Sequence, residues 1–355
     1  MTRPPPVPQP VLPVAPAGER RPLPHIVWPL LALALLLVFD FLFVPGFFRF
    51  TIRDGRLYGS LIDILNRGVP VMLLAMGMTL VIATGGVDLS VGSIMAICSA
   101  VAACLIARPD KSPLSAINVS SHICLIVLIA MLVGLLLGMW NGALVAFLNL
   151  QPIIATLILM VAGRGIAQIL TDSQKVEIRS EAFTAISRGS FLGLPRPIAI
   201  AALAFVLMAV FTRLTAAGLF VEAVGNNPAA ARIAGIRSSF VKLMAYAITG
   251  LLAAVAGIIP AADIALADPP SCGLNFELDA ILAVVIGGTA LTGGRFSLLG
   301  TLVGAVLIQA LTTTVLNKGV NPNITLVLKA GVVIAVCLLQ APKFRKLLGI
   351  SGKSA

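Results

Sequence analysis

Residues Gly225 to Gly235 read GNNPAAARIAG, a short polar stretch in a chain that is otherwise almost entirely soluble in lipid. VEAV precedes it, IRSSFVK follows, and a new apolar run begins near Leu243. Asn226 or Asn227 can cap a helix here, since a side-chain oxygen can accept from a free backbone N–H of the first turn. Pro228 suits that turn, where its missing N–H is not needed. Ala229, Ala230 and Ala231 are strong helix formers, and Gly235 can adopt the backbone shape that ends a helix. The spacing predicts about two turns of helix carrying Arg232 and Arg237. Such an element is either an amphipathic connector or a part shaped to dock.

The 355 residues are 59% hydrophobic and 11% charged, with a mean hydropathy of +1.05. A soluble domain carries about a quarter charged residues, so this composition belongs to a polytopic membrane protein. The net charge of +11 falls to loops and tails. Nucleic acid is excluded as a partner, because no basic stripe is interleaved with aromatic residues. The five cysteines (Cys98, Cys104, Cys124, Cys272, Cys337) show no CxxC spacing, and with two histidines no metal site is expected. Nine of the first 25 residues are proline. Segment 1–25 therefore reads as an extended, disordered tail, and it lacks the apolar core of a signal peptide.

On the ruler of roughly 20 apolar residues per span, the chain divides into ten all-α spans. They cover 27–46, 60–83, 91–107, 122–147, 152–171, 196–214, 240–262, 277–291, 298–316 and 323–341. The membrane domain is thus 26–345, with a short tail at 346–355. Lys343, Arg345, Lys346 and Lys353 follow the last span, and Arg213, Arg232, Arg237 and Lys242 surround the polar helix. Ten spans place both clusters and both termini on one side, which the positive-inside rule makes cytoplasmic.

Small residues mark where helices approach closely. Gly134, Gly138 and Gly142 recur every four residues, as do Gly300 with Gly304 and Gly250 with Ala254. A longer pattern, TGG-x5-G-[ST], occurs at Thr84-Gly85-Gly86 and again 208 positions later at Thr292-Gly293-Gly294. Glycine-interrupted segments in corresponding halves point to a pathway built from an internal repeat, although the span count gives both copies the same direction. A shared turn is the other reading.

Ionisable groups read within the spans are Asp40, Asp63, Arg67, Arg164 and Lys329. No acidic pair for proton or sodium coupling is visible among them, and there is no GxSxG or HExxH. The tail sequence GISGKS imitates a phosphate loop but has two residues between its glycines where four are needed.

GMTLVIATGGVDLSVGS (77–93), EAVGNNPAAARIAGI (222–236) and ELDAILAVVIGGTALTGG (277–294) together resemble the ribose/galactose/xylose-type permeases of bacterial ATP-binding-cassette importers. DGRLYGSLIDILNRGVPV (54–71), QPIIATLILMVAGRGIAQIL (151–170) and GGRFSLLGTLVGA (293–305) resemble the galactofuranose-type subgroup. The resemblance covers residues 54–345. It implies an inner-membrane subunit without catalysis or cofactor of its own. Its partners would be cytoplasmic ATPases that carry ATP and Mg, a periplasmic sugar-binding protein, and a second permease copy or paralogue. It also implies that 225–237 is the coupling helix, with Glu222, Gly225, Asn226, Pro228, Ala231, Arg232, Ala234 and Gly235 serving the ATPase contact. Candidate pathway groups are Asn66, Thr79, Thr84, Gly85, Gly86, Asp88, Ser90, Asn141, Thr289, Gly293 and Gly294. Most intramembrane hydroxyls bond their own helix, so fewer than half of these are expected to meet substrate. The stretch ADPPSCGLNF (267–276) reads as a variable periplasmic loop. The alternative function is a partner-independent secondary sugar carrier.

Overall fold

In lipid every backbone N–H and C=O must find a partner within the protein, which makes helices of apolar runs. The computed structural model describes residues 26–53, 56–108, 122–319 and 322–340. The proline-rich segment 1–25, the tail 346–355 and the lysine cluster after the last span lie outside these. The helices are α1 (Val27–Phe43), α2 (Ser60–Ala83), α3 (Val91–Ala107), α4 (Ile123–Ala146), α5 (Pro152–Leu170) and α6 (Glu181–Arg188). They continue with α7 (Arg196–Leu214), α8 (Ala216–Asn226), α9 (Pro228–Ile233), α10 (Ser238–Ile264), α11 (Phe276–Ile286), α12 (Leu298–Asn317) and α13 (Pro322–Gln340). Three small antiparallel pairs join β1 (Thr51–Arg53) to β2 (Arg56–Tyr58), β3 (Val176–Glu177) to β6 (Leu266–Ala267), and β4 (Ser190–Phe191) to β5 (Leu194–Pro195).

Each of the ten expected runs coincides with a helix. Among the described residues six, α2, α4, α5, α7, α10 and α12, are long and apolar enough to cross a membrane unaided. The run at 277–291 is shorter than expected: α11 has eleven residues. At 1.5 Å per residue that is roughly 17 Å, about half a hydrocarbon core. Gly287 and Gly288 stop it. Gly288 takes a left-handed φ of +90°, and the N–H groups of Gly288 and Thr289 donate back to Val285 and Val284.

α2 and α10 form the centre, and α2 is buried without interruption from Gly68 to Ala83. The glycine stripes read from the sequence are the helix contacts. Gly134 and Gly138 of α4 lie so close to α10 that an added Cβ would overlap the Gly250 or Tyr246 carbonyl oxygen. Gly304 of α12 meets Ala283 of α11 in the same way. The end of α2, the end of α8 and the loop from α11 to α12 meet at one end of the bundle. The opposite end carries the strand pairs and α6, tied down by Leu57 N–H donating to the Gly193 carbonyl at 2.9 Å and Arg108 to Asp172 at 2.7 Å.

Gly138→Ala is expected to lower thermal stability in detergent although alanine is the better helix former, because overpacking of a closed interface costs roughly 1–3 kcal/mol. Gly165→Ala, with open space around its position on α5, is the control and should not fall. Equal melting temperatures would contradict the packing described for α4 and α10.

Candidate functional site

Local chemistry builds the polar helix as the sequence suggests, in a shorter form. Asn227, rather than Asn226, is the cap: its Oδ1 accepts from the N–H groups of Ala229 and Ala230, both at 3.0 Å. Pro228 opens α9, which runs only six residues within the expected 225–237. It closes on Gly235 at φ +85°, with Gly235 N–H donating to Arg232 O at 3.0 Å and Ile236 N–H to Ala231 O at 2.9 Å. This paired closure needs a left-handed residue, which glycine supplies without strain. The helix has two faces. Ala231 is buried against Val221, Val224, Ala83 and Val241 and anchors the element. Pro228, Arg232, Ala234 and Gly235 face outward with Ile233, which is 89% exposed. Glu222 is half-buried in α8, and its carbonyl accepts from Asn226 Nδ2 at 2.9 Å.

Beneath α8 and α9 three backbone segments converge. The first is the end of α2, where Gly85 (φ +80°) and Gly86 donate to Ile82 and Val81 at 2.9 and 3.0 Å, and the Thr84 hydroxyl donates to Val81 O. The second is the loop from α11 to α12, whose Gly294 N–H donates to the Ala83 carbonyl at 2.9 Å. The third is the end of α8, where a Cβ on Gly225 would overlap Ala83 O and crowd Gly294 N. A Cβ on Gly294 would lie 2.7 Å from Asn226 Oδ1, and one on Gly86 2.7 Å from the Tyr246 hydroxyl. The two TGG copies therefore touch, and both helices before them run toward the same end. They do different work, however. The first caps α2, whereas the second is a turn inside a loop, six residues past the cap of α11 at Gly287. The first glycine is left-handed in both copies, Gly85 at φ +80° and Gly293 at +90°, but Gly294 is left-handed as well and Gly86 is not.

The remaining pathway candidates fall in several separate places. Asp88, Ser90 and Asn141 form a closed cluster: the Ser90 hydroxyl donates to Asp88 Oδ1 at 2.6 Å, and Asn141 Nδ2 donates to Ser90 Oγ at 2.6 Å. Asp88 Oδ2 and Asn141 Oδ1 have no hydrogen-bond partner. Thr79 bonds the Ala75 carbonyl and shares a 2.8 Å hydrogen bond with Thr301, pinning α2 to α12. Thr289 Oγ1 and Asn66 Oδ1 are buried and unpartnered, the former at the cap of α11 and the latter toward the other end of α2.

Two carboxylates missing from the sequence inventory belong to the site's surroundings. Asp279 of α11 accepts from Lys329 of α13 at 2.7 Å, with both side chains largely buried. Glu277 is 3% exposed. Lys329 in an apolar run without a partner of its own was the available signal, since a charge at membrane depth pairs elsewhere. The stretch 267–276 is partly buried: Ala267 pairs with Val176, Cys272 contacts the Ser99 hydroxyl and Gly273 packs against Gly92, while Pro270, Ser271, Leu274 and Asn275 are exposed. Its Pro-Pro and Gly residues suit an irregular path through the bundle as well as they suit a loop.

Residues 60–337 match the family model described as the permease component of the branched-chain amino acid transport system. The chain is 49% identical over 326 residues to a galactofuranose transporter permease protein of Escherichia coli K12, covering 90% of this chain and 92% of that one. It is 40% identical to a fructose import permease protein of Bifidobacterium longum, with 91% and 89% covered. A ribose import permease protein of Escherichia coli K12 is 34% identical, with 88% and 93% covered. No solved structure matches the chain.

Gly225→Ala is expected to break the Gly294 to Ala83 hydrogen bond. Losing one such bond, worth about 1 kcal/mol, should speed amide exchange in segments 80–90 and 287–297 roughly five-fold. Hydrogen-exchange mass spectrometry reads this; unchanged exchange there would show that the three segments are not held as one unit.

Proposed function

The chain belongs to the branched-chain amino acid transport system permease family, and on that premise we propose that it is the membrane permease subunit of an importer for a monosaccharide. A separate ATPase drives it. The observation that carries this reading is the seat of the polar helix: its outer face is free, and its inner end is joined through backbone to α2 and to the α11–α12 loop. A push on α9 therefore reaches the bundle without passing through any flexible side chain. The names of the relatives supply the cargo class, a sugar such as galactofuranose, fructose or ribose. In this reading all ten apolar helices belong to the membrane domain, with both termini and α8–α9 cytoplasmic and α6 with the strand pairs periplasmic. A bacterial inner membrane, two ATPase subunits carrying ATP and Mg, a periplasmic sugar-binding protein and a second permease copy or paralogue complete the assembly.

The charges within the bundle support a neutral cargo. Asp279 is compensated by Lys329, and Glu277 lies two residues away on a different side of α11, so the two do not form the coupled acidic pair that an ion-driven secondary carrier needs. On the cytoplasmic face the exposed Arg232 can give a carboxylate of the ATPase a forked hydrogen-bond donor, beside the apolar Ile233.

Purified alone, the chain should hydrolyse no ATP. Combined in liposomes with its ATPase and binding protein it should show sugar-stimulated hydrolysis and uptake, with galactofuranose, fructose and ribose compared as cargo. Uptake that needs no ATPase would replace this reading with the secondary carrier.

Arg232→Glu should reduce recovery of the ATPase on co-purification about ten-fold or more, since a like-charge contact at a desolvated interface costs at least about 1.4 kcal/mol. Membrane insertion should stay normal. Undiminished recovery would make α9 a plain connector.

A further inference from the structure

Arg164 lies roughly 18 Å along α5 from its first residue, at 1.5 Å per residue. A guanidinium at that depth either reaches for the membrane surface or finds acceptors inside the protein. It does the second, and not on its own helix. Nη1 donates to the Cys272 carbonyl at 2.8 Å and Nη2 donates to the Gly273 carbonyl at 3.0 Å. Both acceptors sit in the non-helical stretch 268–275 that leads from β6 into α11.

This stretch is held under tight geometry. Gly273 and Asn275 are left-handed, at φ +69° and +66°. A Cβ on Gly92 of α3 would overlap Gly273 O, so the stretch and α3 touch backbone to backbone. A cavity of about 190 Å³ opens beside it, lined by Ser99, Ala261, Ser271, Cys272 and Phe276 among others. Glu277, at the second residue of α11, is buried with its Oε2 unpartnered, and the charge of Arg164 attracts it. One arginine thus faces two sets of acceptors: the carbonyls it now holds and a carboxylate oxygen that nothing holds.

We propose that Arg164 is a positioning residue of the translocation step, resting on the permease function above. In the state described here its fork pins the 268–275 break to α5. During transport the break leaves the fork, and the guanidinium turns to Glu277. The two carbonyls lie side by side on successive residues, a pattern that a planar fork spans and an ammonium does not.

The test uses the whole reconstituted transporter with its ATPase and binding protein. Arg164→Gln should assemble and retain ATP hydrolysis stimulated by the binding protein. Its sugar uptake per ATP should fall about ten-fold, the scale expected when a positioning group is removed. Arg164→Lys should recover only part of this. In a variant keeping Cys272 as its single cysteine, a small water-soluble thiol reagent should label Cys272 differently in nucleotide-free and vanadate-trapped complexes. Added Arg164→Gln should abolish the difference. Parental uptake per ATP in Arg164→Gln, or equal labelling of Cys272 in both states of the parent, would overturn the proposal. Should Arg164→Gln not assemble, Glu277→Gln carries the test at nearly constant volume: uptake per ATP several-fold lower supports the proposal, and unchanged uptake contradicts it. A failure of the permease reading itself looks different, as a parent complex with no uptake at all.

Discussion

The hydrogen bond from Gly294 N–H to the Ala83 carbonyl, 2.9 Å long and roofed by Gly225, joins parts of the chain that are otherwise far apart. Ala83 is the last residue of the most deeply buried helix, Gly294 belongs to the loop that feeds α12, and Gly225 lies one residue before the end of α8, which leads into the polar helix. All three meet through backbone, with no side chain between them. Side chains can change rotamer to absorb a small displacement, whereas close-packed backbone transmits it. The glycines are required here for that reason: a methyl group at Gly225 would fill the space where the two other segments touch.

In the proposed mechanism force has two routes from this junction. One follows α2, which is buried along most of its length and is pinned to α12 through Thr79 and Thr301. The other follows the loop to the half-length α11, whose start is fixed to α13 by the Asp279–Lys329 pair. In the proposed mechanism α11 is the part that moves. It is short, begins from an irregular stretch held by Arg164 and ends on two glycines. The charges around its start are each met by a partner or an opposite charge from another helix, so displacing it exchanges contacts already inside the protein.

Much of this was legible from the chain because it is local. The cap at Asn227, the proline at the first turn and the closure at Gly235 depend on neighbours within ten residues, and all three stand where the pattern puts them. The glycine stripes were equally plain, since a repeat of four marks a helix face whatever it packs against. What escaped was non-local. The sequence shows Arg164 only as a charge within an apolar run, and its acceptors are 108 and 109 positions away. Asp279 and Lys329 are 50 apart. The two TGG copies also differ in ways the pattern does not carry: Gly86 bonds its own helix end, whereas Gly294 is left-handed and reaches across to Ala83. Ala231 looked like its alanine neighbours, and only tertiary packing turns it inward.

Pulsed electron resonance distances between spin labels test the transmission most directly. Labels at exposed Ala230 on α9 and Leu291 in the α11–α12 loop should keep one separation in nucleotide-free and vanadate-trapped transporter, while the distance from Leu291 to a label at Ile52 on the opposite end changes. A shift between positions 230 and 291 with the bundle distance constant would show the polar helix moving on its own, and the junction would then transmit nothing.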